Sequence, residues 1–362
     1  MFALCAVPGP APAAEIDAAL EWLNSKGMKS RGNPLTLEDV QKIQSLSLPS
    51  DAKKNLTDDE LAHLKAIPRL STLDLASASI TDACIPHLLA VPGLTNIDLT
   101  FTRITDEGLT ALAKHPTLKS IRLAQVKTFG DDALKAFATA KSLKTLILTS
   151  TPITDEGLAH LATSKFEQLD LTDCTKITPA GMAHVGKITT LTHLTIGMTS
   201  VGTGLPELKN LKNLETLSCM RAGIDDDAAA VFPHLSNLKS LFIWKNDIGD
   251  KAMPHIAALK NLETLYISDT RVTDAGFAHL KSLTRLRTFW ADNLPITDDA
   301  LDALAGMPLT VLQLNDTPIT DAGLEKLLTL DKLTNLAVNK TRITPEAVAK
   351  AKQQRPKLSI RL

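Results

Sequence analysis

The sequence predicts an α/β solenoid, a curved rod with an inner parallel β-sheet and outer helices. Three observations predict it. A motif of the form LxxLxL begins at Leu70, Leu94, Leu118, Leu143, Phe166, Leu191, Leu214, Leu238, Leu262, Leu286, Leu309 and Leu333, always 23 to 25 residues apart. Within each copy an alternating segment of period two is followed by one of helical spacing, such as ITDEGLAHLA from Ile153. Aromatic residues make up only 4% of the 362 residues, which suits many thin aliphatic layers better than one thick core.

One strand and one helix per 24 residues or so cannot bury their apolar faces alone, so copies must stack. Strands stack at about 4.8 Å and helices at about 8–10 Å, so the helical layer lies outside and the sheet inside. The helix starts are legible. Thr105, Thr154, Thr273, Thr297 and Thr320 precede Asp, and Thr178 and Thr344 precede Pro, so each Thr is the expected N-cap. The acidic pair Asp155-Glu156 then complements the positive helix end. Pro86, Pro206 and Pro254 fall inside expected helices and predict short or irregular ones.

A divergent first copy begins at Ile43 and a last half-copy, LSIRL, ends at Leu362. The array therefore spans 43–362, about 12–13 repeats. Residues 15–42 read as an N-terminal helical cap. Ile16, Leu20 and Leu23 share a helix face beside Trp22, Gly27 can end that helix, and a second helix starts at Thr36 with Asp39 three residues on. Residues 1–14, MFALCAVPGPAPAA, read as the remnant of an export signal, with Ala11-Pro12-Ala13 resembling a cleavage site, or else as a disordered leader. The first reading makes the chain periplasmic or extracellular, the second cytoplasmic. No apolar run reaches the roughly 18 residues of a membrane span.

The pattern LxxLxLxxTxITDxGLxxL at 94–112, 143–161 and 309–327 resembles the leucine-rich repeat superfamily, in its ribonuclease-inhibitor-like, cysteine-containing subclass and in a bacterial type of array. The resemblance implies a horseshoe-shaped solenoid that binds proteins. Where that family carries Asn or Cys after the strand, this chain mostly has Thr (Thr102, Thr151, Thr270, Thr317, Thr341), with Asn246 and Cys174 as exceptions. A Thr ladder there is expected to hydrogen-bond neighbouring backbone along the turn. Eukaryotic relatives serve as substrate receptors of ubiquitin ligases, but the residues before the first repeat show no F-box-like module.

Charge excludes one class of partner. With 39 basic and 40 acidic residues, no net field steers the chain to nucleic acid. No catalytic or cofactor-binding motif appears, and no metal site is expected. His63, His87, His160, His184, His255 and His279 recur in one helical slot, where equivalent side chains about 8–10 Å apart do not converge on one ion. Cys84, Cys174 and Cys219 read as small buried hydrophobes, and Cys5 lies in the leader. Asp225-Asp226-Asp227 reads as solvated capping. The expectation is a non-enzymatic scaffold without cofactors.

The strand position between the second and third motif residues faces away from the core. Down the array it reads Asp74, Asp98, Arg122, Ile147, Asp170, Thr195, Ser218, Phe242, Tyr266, Trp290, Gln313 and Ala337. Three aromatics fall together, and the column two residues on adds Met220, Trp244, Ser268 and Asp292. Arg221, Lys245, Asp269 and Asn293 surround them at the strand exits. An apolar centre inside a mixed-charge rim is the anatomy of a protein interface. The candidate partner-binding residues are Met220, Phe242, Trp244, Tyr266, Trp290, Arg221, Lys245 and Asp292, for a protein or peptide ligand. A row of rings also suits a glycan, so carbohydrate binding stays as the alternative, beside a ubiquitin-ligase adaptor role.

Overall fold

A computed structural model of the chain describes residues 12–362. The expected leader lies outside the described residues, Cys5 with it, except for its last three positions. The chain divides into two compact units, with the division in sequence between Leu169 and Asp170.

In the first unit, helix Ala13–Ser25 buries Ala19, Trp22 and Leu23, and the chain then turns through Gly27 at φ 78°. A short antiparallel pair, Lys29–Ser30 with Asn33–Pro34, leads into helix Leu37–Lys42. That helix starts on a reciprocal cap: the Asp39 N–H donates to the Thr36 hydroxyl, and the Asp39 carboxylate accepts from the Thr36 N–H. Strands Ser45–Ser47, Thr72–Asp74, Asn96–Asp98, Ser120–Arg122 and Thr145–Ile147 follow in parallel pairing and in chain order. The register aligns Leu46, Leu73, Ile97, Ile121 and Leu146, all buried, into one core row.

In the second unit the same arrangement runs through His193–Thr195, Thr216–Ser218, Ser240–Phe242, Thr264–Tyr266, Thr288–Trp290, Val311–Gln313, Asn335–Ala337 and Ser359–Arg361. Leu194, Leu217, Leu241, Leu265, Phe289, Leu312, Leu336 and Ile360 form its core row. The α/β repeat solenoid is thus present within each unit. The strands from His193–Thr195 to Asn335–Ala337 are each three residues long, and a positive-φ residue three positions after each one turns the chain. Arg221, Lys245, Asp269 and Asn293 hold that place, and each donates its backbone N–H to a carbonyl one coil on.

The helical side is less regular than strict strand–helix repeats imply. Gly202–Asn210, Ala228–His234 and Ala300–Leu304 are 3₁₀ segments. Pro206 and Pro233 remove backbone donors inside the first two. Segments Ile85–Leu89 and Met253–Ala257 are five-residue helices with Pro86 and Pro254 in their first turns.

The threonine caps do more than expected. Thr154, Thr273 and Thr320 accept from helix N–H groups, and each also donates its hydroxyl to an Asp of the preceding coil: Asp131 at 2.6 Å, Asp250 at 2.7 Å and Asp298 at 2.5 Å. The same carboxylates accept the Thr backbone N–H groups. A repeat's Asp therefore joins coils as well as complementing its own helix end. The ITDxG glycine makes room for this, since a Cβ at Gly157 or Gly276 would run into the carboxylate of Asp131 or Asp250. The post-strand threonines, by contrast, bond within their own coil: Thr102, Thr151, Thr270 and Thr317 each donate to the carbonyl three residues back. Asn246 reaches across, accepting from the Ala222 and Ile224 N–H groups and donating to the Cys219 carbonyl.

Candidate binding site on the open sheet face

The pairing of Ser218, Phe242, Tyr266, Trp290 and Gln313 in adjacent strands puts them in one row on the face turned away from the buried leucines. Strand spacing of about 4.8 Å brings flat rings in such a row into contact. Phe242 meets Tyr266 edge-on, with centroids 4.7 Å apart and planes at 77°. Tyr266 and Trp290 stack at 3.9 Å and 3°. Burial pushes the Tyr266 hydroxyl pKa up. Trp290 Nε1 is buried without a hydrogen-bond partner.

One column further along the strands, Trp244, Ser268 and Asp292 succeed one another. The small Ser268 leaves a hollow between its larger neighbours. The result is a pocket of about 440 Å³ lined by Ser218, Phe242, Trp244, Tyr266, Ser268, Asp269, Trp290 and Asp292. Two carboxylates and no basic side chain line it.

Asp292 is tied into the coil. Its Oδ1 accepts from the Asn315 backbone N–H and the Asn315 side-chain amide, both at 2.7 Å. Its backbone N–H donates to the Ser268 hydroxyl at 3.0 Å. Burial pushes its pKa up, against the lowering effect of the Asn315 and Ser268 hydrogen bonds, and the like charge of Asp269 pushes it further. Asp269 holds the Asn293 amide on Oδ1 at 2.8 Å.

Of the eight residues singled out from sequence, five line this pocket: Phe242, Trp244, Tyr266, Trp290 and Asp292. Three do not. Met220 lies over Gly197 on the preceding coil, where a Cβ would meet its Cγ at 2.9 Å. Lys245 places its ammonium 5.3 Å from the Trp244 ring centroid, outside the lining. Arg221 is exposed at the strand exit. Ser218 and Ser268, which sequence reasoning left out of the site, matter because their small size opens the space; a small residue between large ones in adjacent copies was the available signal.

In the first unit the equivalent row is charged and internally paired up to Ile147. Asp74 binds Lys53 at 2.8 Å and the Ser47 hydroxyl at 2.6 Å, and Arg122 lies 3.6 Å from Asp98. Among the described residues no group of three or more His, Cys, Asp or Glu is placed to hold a metal ion, and no helix is long and apolar enough to cross a membrane. His63 stacks on Trp22 at 5.5 Å and His87 lies 4.0 Å from Asp59, so these two ring columns pair locally.

Residues 148–360 match a family model described as a leucine-rich repeat region, and 94–113 match a second described as a leucine-rich repeat. No curated protein matches the chain. Among solved structures it is similar to an internalin from Listeria monocytogenes, at 21% identity and a TM-score of 0.59, over 99% of this chain and 98% of that one. It is also similar to a leucine-rich repeat protein from Leptospira interrogans, at 15% identity and a TM-score of 0.55, over 90% and 97%. At these identities the likeness is one of fold.

Proposed function

Because the chain belongs to the leucine-rich repeat family, a family of stacked scaffolds whose open faces carry the function, we propose that it is a non-catalytic binding protein that takes a protein or peptide ligand at the Phe242–Trp244–Tyr266–Trp290 pocket. The observation that carries this reading is the pocket itself. Four aromatic side chains in three successive coils line one hollow of the open sheet face, flanked in their row by Ser218 and Gln313. A partly exposed aromatic cluster within a polar surround is what an interaction hot spot requires.

The geometry favours a polypeptide over a glycan. Sugars stack on open ring faces, whereas Tyr266 and Trp290 each turn one face on the other and Phe242 and Tyr266 meet edge to face. Such rings offer edges and gaps that suit inserted side chains. The proposal includes the ribonuclease-inhibitor-like, cysteine-containing subclass of bacterial type, supported by Cys174 and Asn246 at the position after the strand. It also includes a cap over 15–42 followed by the array over 43–362, and export to the periplasm or outside through the apolar leader of 1–14.

The test is selection from a displayed random-peptide library on the folded chain, beside its Tyr266→Ala/Trp290→Ala variant and beside a glycan array. Peptides enriched by the natural chain and lost by the variant are the expected result. Glycan binding without peptide enrichment, or equal enrichment by both chains, overturns the reading.

A further inference from the structure

The pocket is chemically asymmetric. Ser268 floors it, Trp244 stands on one side and Asp292 on the other, two strand spacings apart, or about 10 Å. Tyr266 and Trp290 line it too, and Asp269 stands at the strand exit. Asp292 has Oδ1 occupied by Asn315, while its Oδ2 meets only the Ser268 hydroxyl at 3.4 Å. Asp269 likewise commits Oδ1 to Asn293. Each carboxylate thus keeps an oxygen with acceptor capacity to spare.

Among the described residues neither carboxylate is paired with a cation, and no basic side chain lines the pocket. The charged neighbour acting on Asp292 is Asp269, of the same sign, whereas the acids Asp74 and Asp98 of the first unit pair with Lys53 and Arg122. A half-buried pair of like charges beside aromatic rings is an arrangement completed by a positive group from elsewhere. Lys245 shows that the Trp244 ring attracts a cation, yet its ammonium sits outside the pocket lining.

Resting on the peptide-binding reading above, we propose that the pocket recognises an arginine side chain of the partner, its guanidinium plane laid on Trp244 and its N–H fork directed to Asp292 and Asp269. Arginine fits better than lysine because the planar group stacks on an indole and offers paired donors to carboxylates, while an ammonium is a compact, strongly hydrated point charge. The methylene stem runs along Tyr266 and Trp290.

The test uses the peptides selected by the natural chain, each resynthesised with arginine replaced by citrulline and by lysine, together with N-acetyl-Gly-Arg-Gly-amide as a minimal probe. Affinity is read by tryptophan fluorescence and by the indole N–H signals in NMR spectra. Enrichment of arginine among the selected peptides is expected. So are a loss of tenfold or more with citrulline, which keeps the shape and removes the charge, and a similar loss in Asp269→Asn/Asp292→Asn with the fold intact by thermal unfolding. Selected peptides that bind at the aromatic pocket but tolerate citrulline overturn the arginine assignment and leave the peptide-binding reading standing. Lysine peptides binding as tightly as arginine peptides also overturn it, in favour of a general cation pocket. If no peptide is enriched, both readings fall.

Discussion

Tyr266 and Trp290, one coil apart, lie with ring planes 3° from parallel and centroids 3.9 Å apart, and the outer member of the pair leaves its indole N–H buried and unbonded. A stacked aromatic pair contributes about 0.5–1.5 kcal/mol beyond its area, whereas an unsatisfied buried donor costs about 1–3 kcal/mol. Hydrogen bonding therefore gives no reason to prefer an indole to another ring at this position. Trp290→Phe removes the donor and keeps a ring, so the unfolding midpoint should stay the same or rise, while partner affinity falls. A clear loss of stability in Trp290→Phe would assign the residue to holding the sheet. Thermal unfolding of the two proteins decides it.

The core row makes the opposite prediction. Leu265 is fully buried between Leu241 and Phe289. Leu265→Ala should cost about 2–5 kcal/mol of unfolding free energy, from lost transfer energy plus a cavity, and leave the exposed half of Tyr266 in place. Denaturant unfolding followed by circular dichroism measures this. An unchanged midpoint would mean the strand is turned by one residue, with its aromatics inward.

Asp131, Thr154 and Gly157 act as one interlock between successive coils. The Asp131 carboxylate takes the Thr154 N–H at 2.9 Å and hydroxyl at 2.6 Å, and the missing Cβ of Gly157 leaves it the room. Gly→Ala inside an exposed helix ordinarily stabilises by about 1 kcal/mol. Here Gly157→Ala should destabilise instead, because the new methyl displaces the carboxylate, and it should cost about as much as Asp131→Ala. Their double variant should lose less than the sum of the single losses, since both disturb the Asp131–Thr154 contact, although the new methyl also meets the Leu134 side chain. Additive losses in chemical denaturation would refute the interlock.

Period and register were legible because they need only the spacing of apolar residues. The row Ser218, Phe242, Tyr266, Trp290 read from the motif is the row the strand pairing produces. What spacing does not contain is the choice each polar or flexible side chain makes among partners at similar distance. Asp155 and its counterparts look like simple helix-end charges until the next coil's Thr is placed beside such a carboxylate, as Thr154 is beside Asp131. Met220 shares a column with Trp244 but leans the other way, over the space left by Gly197. Asp292, read as a member of the inner column beside Trp244 and Ser268, is held by the Asn315 amide, a residue in the same column one coil further on. Thr270 after its strand takes the carbonyl three residues back, while the longer Asn246 amide bonds both its own carbonyl three residues back and one on the preceding coil.

Asp292 gives a pH dependence whose sign follows from its burial. Its carboxyl pKa lies above the ordinary 3.8 in the folded chain, so the folded state holds the proton to higher pH than the unfolded chain does. Between the two values the folded state binds more protons, and stability falls as pH rises through that window. Asp292→Asn keeps an oxygen for Asn315 and has no charge to bury. Below the unfolded value the two proteins should unfold alike. As pH rises through the folded value, the variant should become the more stable one, and the difference should level off above it. Thermal unfolding of both from pH 3 to 7 reads this directly, and a difference that does not change with pH would show that the carboxylate is not strained by its surroundings. The same variant should lose the arginine peptide at neutral pH, because the charge that burial disfavours is the one the guanidinium would neutralise. A substitution that stabilises the fold while removing the ligand separates a residue kept for binding from one kept for structure.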